Sequence, residues 1–167
     1  MLNPDDLLRH ANRLTTPPGA GAPRQVDLRR AISAAYYAVF HSLLRFGADW
    51  LVGSSHRTTT PYSLTYRAFS HARLRQRCAE AAKPQLPKSL GALKIPSFPR
   101  SIRDLSDAFV QLQEERHEAD YNPRRRFSLV DARTLVQTAE QAIADFKEAP
   151  GNDKKLFIAF LLFGARS

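Results

Sequence analysis

Four side chains that could handle a phosphate and a proton lie close together near the end of one predicted helix. They are Arg116, His117, Asp120 and Tyr121. Residues four apart share a helix face, so Arg116 pairs with Asp120 and His117 pairs with Tyr121. Arginine can grip a phosphate through two donors, and histidine can carry a proton near neutral pH during attack by a ribose 2′-hydroxyl. The alternative interpretation is a salt-bridge network at the helix terminus.

A second polar row lies on an earlier predicted helix, where Ser33, Tyr37, His41 and Arg45 follow one another at intervals of four. That interval places them on one face of the helix. Such a row can orient residues of a facing helix, and His41 is a further candidate for proton transfer. The alternative is a structural role, because Tyr and His are often partly buried with a satisfied polar tip.

Basic residues are concentrated in two places. Arg124–Arg126 directly follow the first group and are candidate phosphate ligands. Residues 54–103, here called the basic segment, contain ten basic residues and a single acid, Glu80, while the rest of the chain has fifteen of each. Within this segment Arg73 and Arg77 are candidate nucleic-acid contacts. A segment with this imbalance attracts polyanions such as RNA, and the alternative is a solvated face that aids solubility.

Two motifs resemble those of a known family. One is Tyr36-Tyr37-Ala38-Val39-Phe40-His41, and the other is Arg116-His117-Glu118-Ala119-Asp120-Tyr121-Asn122-Pro123. With these motifs, residues 25–148 resemble the HEPN superfamily, small helical-bundle proteins whose better-known members are RNA-cleaving toxins. The resemblance implies metal-independent cleavage at the ribose 2′-hydroxyl, with Arg116 holding the phosphate. It also implies a site completed across a homodimer and a role in a toxin–antitoxin or defence system.

The second motif departs from that of the ribonucleases in this family. Their arginine is followed after four to six residues by a histidine, which here would fall at 121–123, where the chain has Tyr121, Asn122 and Pro123. A tyrosine with an ordinary pKa near 10 is a poorer base at neutral pH than histidine. The Arg-x-x-Ala-Asp-Tyr form resembles a HEPN sub-branch found near nucleotidyltransferase-like proteins. The alternative function is therefore a non-catalytic protein that binds such a partner or a nucleotide.

Apolar spacing predicts an all-α fold, an up-and-down bundle of four to five main helices in a single domain spanning 1–167. The helices are expected at 4–14, 27–50, 61–83 and 101–121, with a fifth from Ser128 or Asp131. A loop is expected at 15–23 and an extended Pro-rich connector at 84–99. The core stripe of the second helix is predicted to be Leu28, Ile32, Ala35, Val39, Leu43, Phe46 and Trp50.

A short apolar element follows a predicted turn at 151–153 and extends from Lys154 to Gly164. Its residues 156–163 are apolar on every side. A surface helix would show a polar face, so the element is expected to be buried, either within the monomer or between two subunits. A buried strand is an open alternative for a run of this length.

Several classes of site are excluded by the spacing of residues. The histidines and the lone cysteine, Cys78, lack a metal-ligand spacing, and the chain has no Gly-rich phosphate loop. We therefore expect neither a metal nor a cofactor. A single cysteine favours a reducing compartment, and the longest apolar run has eight residues, fewer than the roughly 20 needed to span a bilayer. The sequence predicts a cytoplasmic protein without a membrane segment.

Overall fold

A computed structural model of the chain describes residues 2–16 and 21–164. Every regular element among these residues is helical, and the predicted all-α helical-bundle class is confirmed. Short 3-10 turns occupy Ser54–His56 and Lys88–Leu93. The α-helices are α1 (Pro4–Leu14), α2 (Gln25–Leu51), α3 (Thr60–Arg67), α4 (His71–Ala81), α5 (Arg100–Tyr121), α6 (Leu129–Glu148) and α7 (Gly151–Phe163). Part of the predicted loop at 15–23, residues 17–20, lies outside the described residues.

The chain divides into two compact units. Unit 1 contains the chain up to His41 together with Ala108–Ala144, and unit 2 contains Ser42–Asp107 together with the chain from Asp145 onward. The division falls within three helices, α2, α5 and α6. The single domain predicted for 1–167 stays a prediction.

The predicted core positions of unit 1 are buried. On α2 the stripe Leu28, Ile32, Ala35 and Val39 has at most 3% exposure, and this agrees with its 3–4 spacing. On α6 Ala132, Leu135, Val136, Ala139 and Ile143 are likewise buried. Apolar spacing therefore predicts both core faces of this unit correctly except at Leu129, an expected core position of α6 that is only half-buried.

In unit 2 the burial of α2 agrees less well with the predicted core stripe. Leu43 is buried, but Trp50 is 36% exposed, so its predicted core position is wrong. In the last turns of α2 the buried positions are Gly47 and Ala48. A Cβ atom at Gly47 would lie 2.6 Å from Cζ of Phe69, so this helix and the residues after α3 approach closely because position 47 has no side chain.

The C-terminal apolar segment is helix α7, and its first turn occupies the predicted turn at 151–153. That prediction is wrong because Pro150 precedes the helix with extended backbone, after which Gly151 can begin it. Buried residues Phe157, Ile158, Phe160 and Leu161 pack inside unit 2. The Phe157 ring lies 5.5 Å from that of Phe98 and 6.1 Å from that of Phe146, measured between centroids. The segment is thus buried within the chain.

Two connections differ from expectation. The single helix predicted for 61–83 is two helices, because the side chain of Ser70 accepts a bond from the backbone N–H of Arg73 and starts α4 anew. The connector at 84–99 is not simply extended, since it contains a 3-10 turn and buries Leu90 and Phe98. A backbone hydrogen bond of 2.8 Å from Leu86 N to Pro96 O closes it.

The start of α6 has a reciprocal cap that can be tested. Ser128 Oγ accepts from Asp131 N at 3.0 Å, and Asp131 Oδ2 accepts from Ser128 N at 2.8 Å. We expect Ser128→Ala to lower the free energy of unfolding by about 1 kcal/mol, because an end donor of the helix loses its acceptor. Urea unfolding measures the change. Ser128→Asn, which keeps a capping oxygen, should restore most of it, and equal losses in both variants would contradict the role of the cap.

Candidate functional site

Arg116, near the end of α5, is the centre of a polar cluster in unit 1. Its Nη2 donates a hydrogen bond of 2.9 Å to the hydroxyl of Tyr37 on α2. Its Nε lies 2.7 Å from Oδ2 of Asp120, one turn later on α5. This second contact is an ion pair without an aligned hydrogen bond, since Nε is buried and has no hydrogen-bond acceptor. The guanidinium is therefore held by two helices, with 22% of the side chain exposed.

The two polar rows expected from the sequence meet in this cluster. Ser33 Oγ donates to Oδ1 of Asp120 at 2.6 Å, so that Asp120 is fixed by Ser33 on one oxygen and by Arg116 on the other. Tyr37, four residues after Ser33, contacts Arg116 itself. The row on α2 thus orients the row on α5, as the interval of four indicates.

Three tyrosine rings surround the Arg116 guanidinium. Its central carbon lies 5.4 Å from the ring centroid of Tyr37, 5.5 Å from that of Tyr121 and 6.0 Å from that of Tyr36. These distances are within the range of cation–π attraction. Burial opposes the charge, but Tyr37, Asp120 and Tyr121 outweigh it and raise the pKa of Arg116 above its usual value. The site therefore contains a permanently charged arginine.

Both candidate histidines lie against tyrosines of this cluster. The ring of His41 stacks on Tyr37 with 6.0 Å between centroids, and the ring of His117 lies 4.9 Å from that of Tyr121. His117 is exposed, and Tyr121 is 64% exposed. The structure therefore brings together all five residues predicted as catalytic candidates. Tyr121 forms their solvent-exposed edge.

Sequence reasoning missed Arg29, which fixes the end of α5. Its guanidinium donates to the carbonyl oxygens of Ala119 at 2.6 Å and Asn122 at 2.9 Å, and also to that of Arg125. Carbonyl oxygens at a helix C-terminus have no donors within the helix, and here the guanidinium of Arg29 supplies donors for them. The available signal was the interval of four, since Arg29 precedes Ser33 on the same face of α2.

The arginines after α5 have different surroundings. The side chain of Asn122 accepts from the backbone N–H groups of Arg124 and Arg125 at 3.0 and 3.3 Å, which turns the chain after the helix. The Arg125 guanidinium lies 3.8 Å from Glu115 and stacks over the ring of Phe127. Arg124 and Arg126 are exposed, so this part of the predicted basic cluster is accessible to a ligand.

The other two predicted nucleic-acid contacts belong to unit 2. Arg73 is exposed on α4. Arg77 is half-buried and donates to the carbonyl of Leu161 near the end of α7, with its guanidinium over the ring of Phe160. Burial and the charge of Arg73 lower the pKa of Arg77. Arg77 thus also stabilises a helix terminus, whereas Arg73 faces solvent.

No known family model, characterised protein or solved structure matches this chain. Among the described residues, no helix is both long and apolar enough to cross a membrane. In the same part of the chain, no three His, Cys, Asp or Glu side chains are grouped as a metal site would require. The resemblance to HEPN proteins therefore rests on the two motifs.

A second polar cluster, in unit 2, is centred on Asp49. Arg57 donates to both of its carboxylate oxygens, at 2.9 and 2.5 Å, and the hydroxyl of buried Tyr62 donates to Oδ1 at 2.7 Å. Arg45 lies 3.9 Å away. Burial raises the pKa of Asp49, but these partners outweigh it and hold the pKa below its usual value. The groups satisfy one another, which is typical of a structural cluster.

The raised pKa of Tyr62 predicts that the protein loses stability at alkaline pH. Burial and the bond to Asp49 raise its pKa to about 12, whereas an unfolded tyrosine loses its proton near pH 10. The folded state therefore binds the proton more tightly, and stability should fall as pH rises from about 10 to 12, by roughly 2 kcal/mol. We expect Tyr62→Phe to remove this part of the decline in urea unfolding. An alkaline decline of the same size in the variant would contradict the assignment.

Proposed function

We propose that this chain is a HEPN-like RNA-binding protein in which Arg116 contacts a phosphate and Tyr121 stacks on a base. One observation carries the proposal. A charged arginine, held by Tyr37 and Asp120, lies 5.5 Å from the ring of a tyrosine that is 64% exposed. Proteins that bind single strands combine these two features, basic groups along the backbone and aromatic rings beneath the bases.

The contacts of Arg116 suit a phosphate ligand. Tyr37 and Asp120 fix the guanidinium, so little side-chain freedom is lost when an anion binds. Asp120 neutralises the arginine in the free protein and would compete with the incoming phosphate. Asp120 also accepts a hydrogen bond from Ser33. It can therefore stay in position when the phosphate binds some of the N–H donors of Arg116. The exposed Arg124 and Arg126 would contact neighbouring phosphates.

Cleavage of the bound RNA would use the same residues. Arg116 would stabilise charge on the phosphate while a neighbouring base accepts the proton of the ribose 2′-hydroxyl. Tyr121 occupies the position at which ribonuclease members of the family have histidine, so His117 or His41 would carry the proton. Each of these histidines lies against a tyrosine that contacts Arg116. The homodimer and the toxin–antitoxin or defence role implied by the resemblance belong to this proposal.

A binding experiment tests the proposal directly. We expect Tyr121→Ala to weaken binding of labelled single-stranded RNA by roughly 5- to 150-fold, because loss of one stacked base costs about 1–3 kcal/mol. The exposed side chain can be removed without opening the core. Fluorescence anisotropy measures the affinity, and circular dichroism checks the fold. Unchanged affinity in a folded Tyr121→Ala variant would refute the proposed contact.

Arg116→Ala has a matched control on the same helix. Arg100 forms a similar i,i+4 ion pair with Asp104, at 3.4 Å, but its side chain is 87% exposed. Both substitutions remove one positive charge from α5. We expect the Arg116 variant to bind RNA at least tenfold more weakly than the Arg100→Ala variant, since it also loses a fixed guanidinium. Equal losses would assign the effect to net charge alone.

The second candidate function is non-catalytic binding of a nucleotide or of a nucleotidyltransferase-like protein. It is favoured by Tyr121, which stands where the ribonucleases of the family have a histidine. Incubation with RNA in EDTA separates it from cleavage. Cutting by the wild type but not by Arg116→Ala would identify a metal-independent ribonuclease. Binding without cutting would identify an RNA-binding protein, and neither binding nor cutting would favour a nucleotide or a nucleotidyltransferase-like partner, which co-purification would reveal.

A further inference from the structure

The net positive charge of the chain is almost entirely in unit 2. That unit has fifteen basic and seven acidic residues, a net charge of +8, whereas unit 1 has ten and nine, a net charge of +1. All of this excess lies in the basic segment, residues 54–103, which has ten basic residues and whose only acid is Glu80. The proposed RNA site around Arg116 lies in unit 1, so the excess charge belongs to the other unit.

The structure separates the basic residues of this segment by their surroundings. Arg57 pairs with Asp49, Arg77 donates to the end of α7, and Arg100 pairs with Asp104. Arg103 is half-buried. The remaining six basic residues are exposed, namely Arg67, Arg73, Arg75, Lys83, Lys88 and Lys94.

The packing of α4 determines which of its side chains face solvent. Leu74, Cys78 and Ala81 form its buried face, so Arg73 and Arg75 point away from the core on its flanks. Lys83 follows the helix immediately. The closed connector after it places Lys88 and Lys94 on an ordered surface, because Leu90 and Phe98 anchor it in unit 2. The six basic side chains thus belong to one continuous stretch of folded chain.

We propose that the exposed basic residues of α3, α4 and the connector in unit 2 bind the phosphodiester backbone of RNA without regard to sequence. This inference rests on the proposed function for the choice of RNA as the polyanion. It assigns a different task to each unit. The surface of unit 2 supplies most of the salt-dependent affinity, and the Arg116 site supplies its own phosphate contacts and the base contact at Tyr121.

Salt dependence tests this inference in the full-length chain. We expect the triple variant Arg67→Gln, Arg73→Gln, Lys83→Gln to reduce the slope of log K against log salt by about 2, since each phosphate contact on a single strand contributes about 0.7. Anisotropy with labelled single-stranded RNA between about 50 and 200 mM KCl measures the slope. The three side chains are exposed, so the fold should be retained, and circular dichroism checks it.

A matched triple variant in unit 1 removes the same charge elsewhere. It is Arg9→Gln, Arg13→Gln, Arg30→Gln, and all three residues are exposed. We expect its slope to change by less than about 0.7, the contribution of one contact. Equal slope changes in the two triples, a change below that value in the unit 2 triple, or no RNA binding by the wild type would each overturn the inference. Reduced slopes only in the unit 2 triple, with unchanged affinity in Tyr121→Ala, would refute the Arg116 site and leave this surface standing.

Discussion

Truncation of Phe157 to alanine is expected to lower the free energy of unfolding by about 3–5 kcal/mol, a large share of the 5–15 kcal/mol typical of a domain. Phe157 is fully buried in unit 2, and its ring packs against Phe98 and Phe146. The substitution removes apolar burial and leaves a cavity, and the two costs add. Urea unfolding followed by circular dichroism measures the change.

Phe163 is the matched control on the same helix. It is the same residue type six positions later on α7, and it is 64% exposed. We expect Phe163→Ala to change the free energy of unfolding by less than about 0.5 kcal/mol. If Phe163→Ala cost as much as about 3–5 kcal/mol, Phe163 would have to be buried as well, by something other than unit 2, such as a second copy of the chain.

The second large effect is expected at Asp49. Asp49→Ala leaves the Arg57 guanidinium and the hydroxyl of buried Tyr62 without their carboxylate acceptor. Loss of an acceptor for buried or charged donors costs about 2–3 kcal/mol. Urea unfolding at neutral pH measures it. Asp104→Ala breaks the exposed pair with Arg100, where about 0–0.5 kcal/mol is expected, and a similar loss in both variants would contradict the role of the Asp49 cluster.

The pH dependence of the Asp49 effect has a definite sign. The pKa of Asp49 is held below its usual value, so the folded state favours the charged carboxylate. This contribution to stability is complete above the unfolded pKa, near 4, and is lost as pH falls through the lower folded pKa. The difference in stability between wild type and Asp49→Asn should therefore be largest near neutral pH and shrink on acidification.

Helices α5 and α6 were predictable because their local signals agree with their tertiary packing. Ile102, Leu105 and Phe109 repeat at intervals of three and four, and all three are buried. The break between α3 and α4 was missed because neither Gly nor Pro marks it. Its signal, a capping serine at position 70, resembles any surface serine until the helix start is known. Trp50 was misplaced because periodicity alone does not show how far the core extends along a helix.

The candidate site was predictable in its members and only partly in its contacts. Intervals of four place Arg116 with Asp120 on one helix and Ser33 with Tyr37 on another, but only tertiary packing brings the two faces together. Arg29 was missed because an arginine near the start of a helix usually faces solvent. The charge imbalance of residues 54–103 was predictable from the sequence, but its assignment to one unit was not, since each unit combines distant parts of the chain.

The bonds of Arg29 have a consequence for ligand recognition. Helix ends commonly fray, yet one guanidinium from α2 donates to the carbonyl of Ala119 in the last turn of α5 and to those of Asn122 and Arg125 just after the helix. Tyr121, the last residue of that helix, is therefore exposed and at the same time attached to a fixed backbone. An aromatic residue on a frayed terminus would lose conformational entropy on meeting its ligand. Here most of that loss occurs when the chain folds, so a larger part of the stacking energy appears as affinity.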